Sequence, residues 1–121
     1  ACSLMLEQVG ITFNTLSKIF IGGAFGRFLD IKKAIVIGLI PDLSIEKYIY
    51  LGNSSLMGAY KVLVSREFRE RQINLARRMT YLELNTNPAY MDQFTGAMFL
   101  PHTDISRFPS VKKLIARTLD K

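Results

Sequence analysis

Apolar and polar positions alternate along the 121 residues in short units, each with a recognisable start or stop. Cys2, Met5, Leu6 and Val9 recur at i, i+3, i+4 and i+7, the stripe of a helix packed on one side, and Gly10 stands where a left-handed residue ends such a helix. "ITFNTLSK" leads into Ile19-Phe20-Ile21, an apolar run that predicts a short buried strand. Asp30 then precedes Ile31, Ala34 and Ile35 at helical spacing, so a helix capped by its carboxylate and stopped at Gly38 is predicted. "IPDLSIEK" reads as a surface connection, because Pro41 cannot continue a helix. The pattern returns in "YIYLGN", Tyr48 to Asn53, apolar residues running into Gly and small polar residues before a second helix. Two successive strand-turn-helix units predict a parallel strand pair with a right-handed crossover, and hence an α/β domain.

The second helix places Leu56, Ala59, Tyr60, Leu63 and Val64 on one face and Ser55, Gly58 and Val62 on a narrower one, whose small residues let another backbone approach. Ser65 predicts the cap of a further helix to about Arg78, burying Phe68, Leu75, Ala76 and Met79, and the β-rich "MTYLEL" predicts a third strand. Asn87-Pro88 marks a turn before "AYMDQFTGAMFL", a helix with Tyr90, Phe94 and Met98 four apart and Met91 to Phe99 as core. "PHTDISRFPS" reads as a loop. "VKKLIARTL" closes the pattern with Val111, Leu114, Ile115 and Thr118 on one helical face.

Composition adds bounds. A chain of this length, 49% hydrophobic, builds one compact domain. It opens Ala-Cys-Ser with a helical stripe already under way, so residues 1–121 are expected to be a single domain excerpted from a longer protein. Cys2 is the sole cysteine, which excludes an internal disulfide and any all-cysteine zinc or iron–sulfur site, and a reducing cytoplasm is the natural compartment. Apolar runs such as Ala34–Ile37 fall far short of the ~20 residues of a membrane span, so no membrane partner is expected. The net charge of +6 is concentrated: residues 65–79 carry five Arg against two Glu, and residues 105–121 five Lys or Arg against one Asp. Arg66 with Glu70 and Glu67 with Arg71 fall at i,i+4 and read as pairs on a solvated face, so nucleic acid is not the expected partner.

Candidate chemistry centres on "KIFIGGAFGRFLD". Gly22-Gly23-x-x-Gly26 follows a strand and precedes a helix, which permits close approach of a ligand to the backbone and turns N–H groups toward an anion. The spacing is neither the dinucleotide G-x-G-x-x-G nor a P-loop, and Gly52 follows the second strand where a dinucleotide fold carries an acidic residue. His102 and Asp104 lack further ligands for a metal, so His102 reads as a structural loop histidine or part of an N-cap. Asp92 has no partner carboxylate or nucleophile and reads as a helix-surface or capping residue. No residue takes a catalytic or metal-binding role.

In order, "IFIGGAFGRFLDIKKAIVIGLIPDL", "YLGNSSLMGAYKVLVSRE", "YMDQF" and "AMFLPHTD" resemble the C-terminal ATPase region of the reductive activators of corrinoid proteins, over nearly all of residues 1–110. These are iron–sulfur proteins of the actin, sugar kinase and heat-shock chaperone superfamily. The resemblance implies a ribonuclease-H-like parallel sheet portion with flanking helices. It implies that ATP, with Mg, drives an electron from an N-terminal iron–sulfur domain to an inactive Co(II) corrinoid protein, restoring Co(I). Nucleotide-binding positions by that resemblance are Gly22, Gly23, Ala24, Phe25 and Gly26, with Asn53 and Ser54, while Gly58-Ala59 looks like the interdomain hinge contact. The superfamily's phosphate motifs, catalytic acids and cluster cysteines are not among these residues, so no ATP hydrolysis is expected from them alone. Two rival readings are part of a small-molecule kinase of the same superfamily, and a basic module binding an acidic protein or nucleic acid through the Arg66 to Arg78 helix.

Overall fold

The structure, a computed structural model, describes residues 1–23 and 25–119. Helix α1 (Cys2–Gln8) ends as its sequence predicts: Gly10 has φ +70°, its N–H bonds the Glu7 carbonyl at 3.0 Å, and the Ile11 N–H reaches back to Leu6, also at 3.0 Å. Its buried residue is Leu4, however, with Cys2, Met5 and Val9 exposed. A seven-residue helix apolar at Cys2, Leu4, Met5 and Leu6 has no unique apolar face, and tertiary contacts select one.

Strands β1 (Ile19–Gly22) and β2 (Tyr48–Gly52) pair in parallel, with Ile19 opposite Tyr48 and Ile21 opposite Tyr50. Ile19 and Ile21 are half-buried and Phe20 exposed, so β1 is covered on one face only rather than buried. Between the strands, Asp30 caps α2 (Ile31–Val36) by accepting the Lys33 N–H at 3.1 Å, the bond chiefly responsible for holding its carboxyl below the ordinary range. Ile31, Ala34 and Ile35 are buried, and Gly38 at φ +77° ends the helix in the same way as Gly10 ends α1. Two tyrosines on one face of β2 pin both ends of this segment: the Tyr48 hydroxyl donates to the Pro41 carbonyl at 2.5 Å and the Tyr50 hydroxyl to that of Leu29. Burial, with the Asp42 carboxylate adding, pushes the Tyr48 phenol up to about 12.

The chain continues through α3 (Ser54–Val64), α4 (Arg66–Arg78), α5 (Ala89–Gly96) and α6 (Pro109–Leu119). The core consists of Ile31, Ile35, Tyr48, Phe108 and Val111, flanked by Ile19, Ile21, Leu29, Ile40, Leu43 and Ile105. Asp42, in the half-buried connection before β2, holds the start of α6: its two carboxylate oxygens accept the Ser110 N–H at 2.6 Å and the Ser110 hydroxyl at 2.8 Å. The predicted surface connection is thus partly internal, and Ile45–Lys47 within it forms a 3₁₀ turn whose Lys47 Nζ donates to the Leu16 carbonyl at 2.7 Å.

Helices α3 and α4 meet at Ser65, with Lys61 Nζ 5.1 Å from the centre of the Phe68 ring and the Arg69 guanidinium donating to the Val62 carbonyl. Ser65 caps α4 as its sequence predicts, and the Arg66–Glu70 and Glu67–Arg71 pairs form at 3.1 and 2.6 Å. Burial differs from expectation here. Leu56, Tyr60, Leu63, Val64, Phe68, Leu75, Met79, Met91, Phe94, Met98, Phe99, Leu114 and Ile115 are all exposed. One face of a two-stranded sheet is narrow, and α2, Phe108 and Val111 fill it, so α3, α4 and α5 bury no side chain among the described residues. The predicted third strand is also absent: Met79 and Glu83 have extended backbones, but "MTYLEL" meets no sheet edge and its end enters a 3₁₀ turn at Leu84–Thr86. The result is a mixed α/β fold, mostly helical, around a small parallel sheet. Among the described residues no helix is long and apolar enough to cross a membrane.

Candidate functional site

Parallel pairing brings the two strand-end turns, thirty residues apart in sequence, into one place. Gly22 lies opposite Gly52, and the Gly23 N–H donates to the Gly52 carbonyl at 2.7 Å. A Cβ at Gly22 would stand 2.7 Å from Ser54 Oγ, so that hydroxyl occupies the space a Gly22 side chain would take. Gly23 is the opposite case. Its φ of +100° excludes ordinary L-residues, while among the described residues nothing beyond its chain neighbours lies within 4 Å of where its Cβ would be, so no described side chain closes that side of the turn. Gly26 is buried in the 3₁₀ turn Phe25–Phe28, where a Cβ would stand 2.7 Å from Ile21 Cγ2. Asn53 caps α3, its side-chain oxygen accepting the Leu56 N–H at 3.1 Å.

Gly22, Gly23, Asn53 and Ser54 are therefore gathered, and Gly26 supports the turn from beneath. Ala24 lies outside the described residues, and of Phe25 only the backbone is described, opening the 3₁₀ turn. One expectation changes in detail: the Gly23 N–H is spent on Gly52 and does not face an anion. Gly52 itself, at φ +67°, was not among the expected site residues, although the apolar run ending in Gly before small polar residues carries its signal. Gly58 and Ala59 lie apart, exposed on α3, and nothing stands within 4 Å of a Cβ at Gly58.

The remaining candidates lie elsewhere. Asp92 is exposed in the first turn of α5. His102 Nδ1 accepts the Asp104 N–H at 2.9 Å, and its ring stacks on Phe108 and fills the gap over Gly96, whose Cβ would stand 3.0 Å from Cε1. Burial lowers the imidazole pKa below 6.5, the Arg107 guanidinium adds to this, and Asp104 opposes it. Protonation also removes the lone pair that accepts the Asp104 N–H. Because the unfolded chain takes up this proton first, stability from His102 is complete above about pH 6.5 and declines as pH falls through the folded value. Urea midpoints measured from pH 7.5 to 5 are expected to fall for the parent and to flatten over that window in His102→Gln; equal slopes would assign the loss to other groups.

A cleft of about 590 Å³, lined by Leu6, Ile11, Phe13, Leu39, His102 and Arg107 among others, shares no residue with the glycine turns. Among the described residues no three His, Cys, Asp or Glu side chains cluster to hold a metal ion.

Comparison with known proteins agrees with the local pattern. The corrinoid activation enzyme RamQ of Eubacterium limosum is 33% identical over 93 residues, 77% of this chain and 16% of RamQ. A solved structure of a reductive activator for corrinoid, iron-sulfur protein superposes with a TM-score of 0.83 at 48% identity, covering 88% of this chain and 17% of that one. The chain thus spans about a sixth of the length of each relative. Residues 1–112 match the family described as the C-terminal domain of RACo, the ASKHA domain, and the chain belongs to that family.

Proposed function

We propose that residues 1–121 are one domain, the C-terminal nucleotide-binding part of a longer ATP-dependent reductive activase that returns Co(II) corrinoid proteins to Co(I) in the cytoplasm. In this reading β1 and β2 are a portion of a ribonuclease-H-like sheet completed by other residues of the longer protein. The iron–sulfur domain, the phosphate-binding motifs and the catalytic acids likewise belong to those residues, and the corrinoid protein is the partner. The observation that carries the nucleotide role is the pair of glycine turns joined at the strand ends, with Gly23 open on the side where its Cβ would project. This cradle fits a planar base or a ribose, since a chain without side chains admits the ligand to van der Waals distance.

ATP with Mg, when bound, supplies the free energy of phosphoanhydride cleavage that offsets an uphill electron transfer. The residues of this chain bind and orient. Gly23 admits the base or ribose, Gly22 leaves room for the Ser54 hydroxyl beside it, and Asn53 fixes the start of α3. Ala24 and Phe25 are nucleotide-binding positions by the family resemblance. Gly58 and Ala59, exposed and small, receive the backbone of another element at the hinge between domains. In the protein at the length of its relatives, reduced by a low-potential donor, Co(I) absorbance of an added corrinoid protein is expected to rise only when MgATP is present. Equal yields with and without ATP, or ATP consumed on a small-molecule acceptor, would sink this function.

A further inference from the structure

Between Ile21 and Gly22 the strand register shifts. Ile21 faces Tyr50 but Gly22 faces Gly52, so Leu51 is an extra residue in β2. Such a bulge re-aims the residue that follows it. Here it brings Gly52 level with Gly22, where the backbone turns through φ +67° and the Gly52 carbonyl meets the Gly23 N–H at 2.7 Å. Gly23 at φ +100° has no other restraint from a side chain of its own, and a turn of two glycines has many alternative conformations. The bond from Gly52 is therefore what selects the open one.

We infer that Gly52 is a positioning residue for the nucleotide site: its left-handed backbone aims the carbonyl that locks the Gly22–Gly23 turn in its open form. The inference rests on the proposed nucleotide role of that turn. Gly52 acts through Gly23 and touches no ligand itself. Ala at position 52 resists positive φ, so the peptide rotates and Gly23 is released, whereas Asn tolerates the left-handed region and keeps the carbonyl in place.

Gly10 supplies a matched control. Its φ is +70° and, as at Gly52, nothing lies within 4 Å of where a Cβ would be, so Ala at either site meets the same local strain. In the protein at the length of its relatives, ATP affinity measured by calorimetry is expected to fall about tenfold in Gly52→Ala, the cost of losing one positioning hydrogen bond. Gly52→Asn is expected to recover the parental affinity, and Gly10→Ala to keep it despite a similar loss of stability. Independently of any variant folding, the Gly23 amide of the parent is expected to exchange with deuterium more slowly than an unbonded glycine amide.

Parental affinity in Gly52→Ala alongside a loss in Gly23→Val would overturn the role of Gly52 while leaving the nucleotide reading intact. Parental affinity in both, or no ATP binding by the parent, would remove the nucleotide reading and this inference with it. Equal losses in Gly52→Ala and Gly10→Ala, no recovery in Gly52→Asn, or an unprotected Gly23 amide would each overturn the positioning role.

Discussion

Gly38→Ala is expected to lower stability by about 3 kcal/mol or more, the largest loss expected from Gly→Ala at any of the described glycines. Two costs combine. At φ +77° an L-residue at the helix C-terminus carries a strain of about 1–2 kcal/mol. The added Cβ would also stand 2.0 Å from the Pro101 carbonyl oxygen and 2.7 Å from its carbon. That obstacle is backbone, and it cannot swing aside as a side chain does. To relieve the overlap, the Pro101 strand of chain must move away from α2, and the half-buried His102 and buried Phe108 are tied to the same segment. Gly10→Ala isolates the first cost, since φ is +70° there and the space is empty, and is expected to lose only about 1 kcal/mol. Urea midpoints of the two variants, with unchanged dependence on denaturant, measure the difference. Equal losses would show that the Gly38–Pro101 contact opens freely.

Gly23→Val carries the largest expected effect on function. A β-branched side chain projects into a side of the turn that no described side chain fills, and its preferred conformations are incompatible with φ +100°. In the protein at the length of its relatives, ATP affinity should fall by about a hundredfold, roughly 3 kcal/mol, while the loss of stability stays near that of other strained turn substitutions. Val111→Ala is the appropriate control. Val111 is buried at 3% exposure in the core and lies away from the turn, so it should lose stability and keep its affinity. If Gly23→Val is destabilised but the folded protein binds ATP like the parent, the glycines serve only the bend between strand and helix.

Local devices were legible in the sequence because their physics is local. Asp30 and Ser65 cap the helices that follow them, and Gly10 and Gly38 end helices through positive φ. Both strands and their parallel pairing followed from the repeated strand-turn-helix pattern, and with them the neighbourhood of Gly22 and Ser54. Burial was not legible. The apolar stripes of α3, α4 and α5 are real, but a stripe specifies which face seeks a partner and not whether these residues supply one. "MTYLEL" has strand propensity without a neighbouring edge, and propensity alone satisfies no backbone hydrogen bonds. The cap of α6 by Asp42 spans 68 positions and leaves no trace in any window of sequence. Gly52 stood in plain view, but its role depends on a one-residue register shift that only the paired strands reveal.

The union of Asp42 with Ser110, and of Tyr48 with Phe108 and Val111, also orders events in time. A ribosome adds roughly 5–20 residues per second, so about 3–12 s pass between the synthesis of Tyr48 and that of Val111. Throughout that interval Ile31, Ile35 and Tyr48 have been made, yet the aromatic ring and the valine that seal them have not. The nascent segment can shape its caps and turns as it emerges, since those need only near neighbours. Among the described residues the core gains Phe108 and Val111 only late, so this part of the domain completes its packing only once the start of α6 has been made.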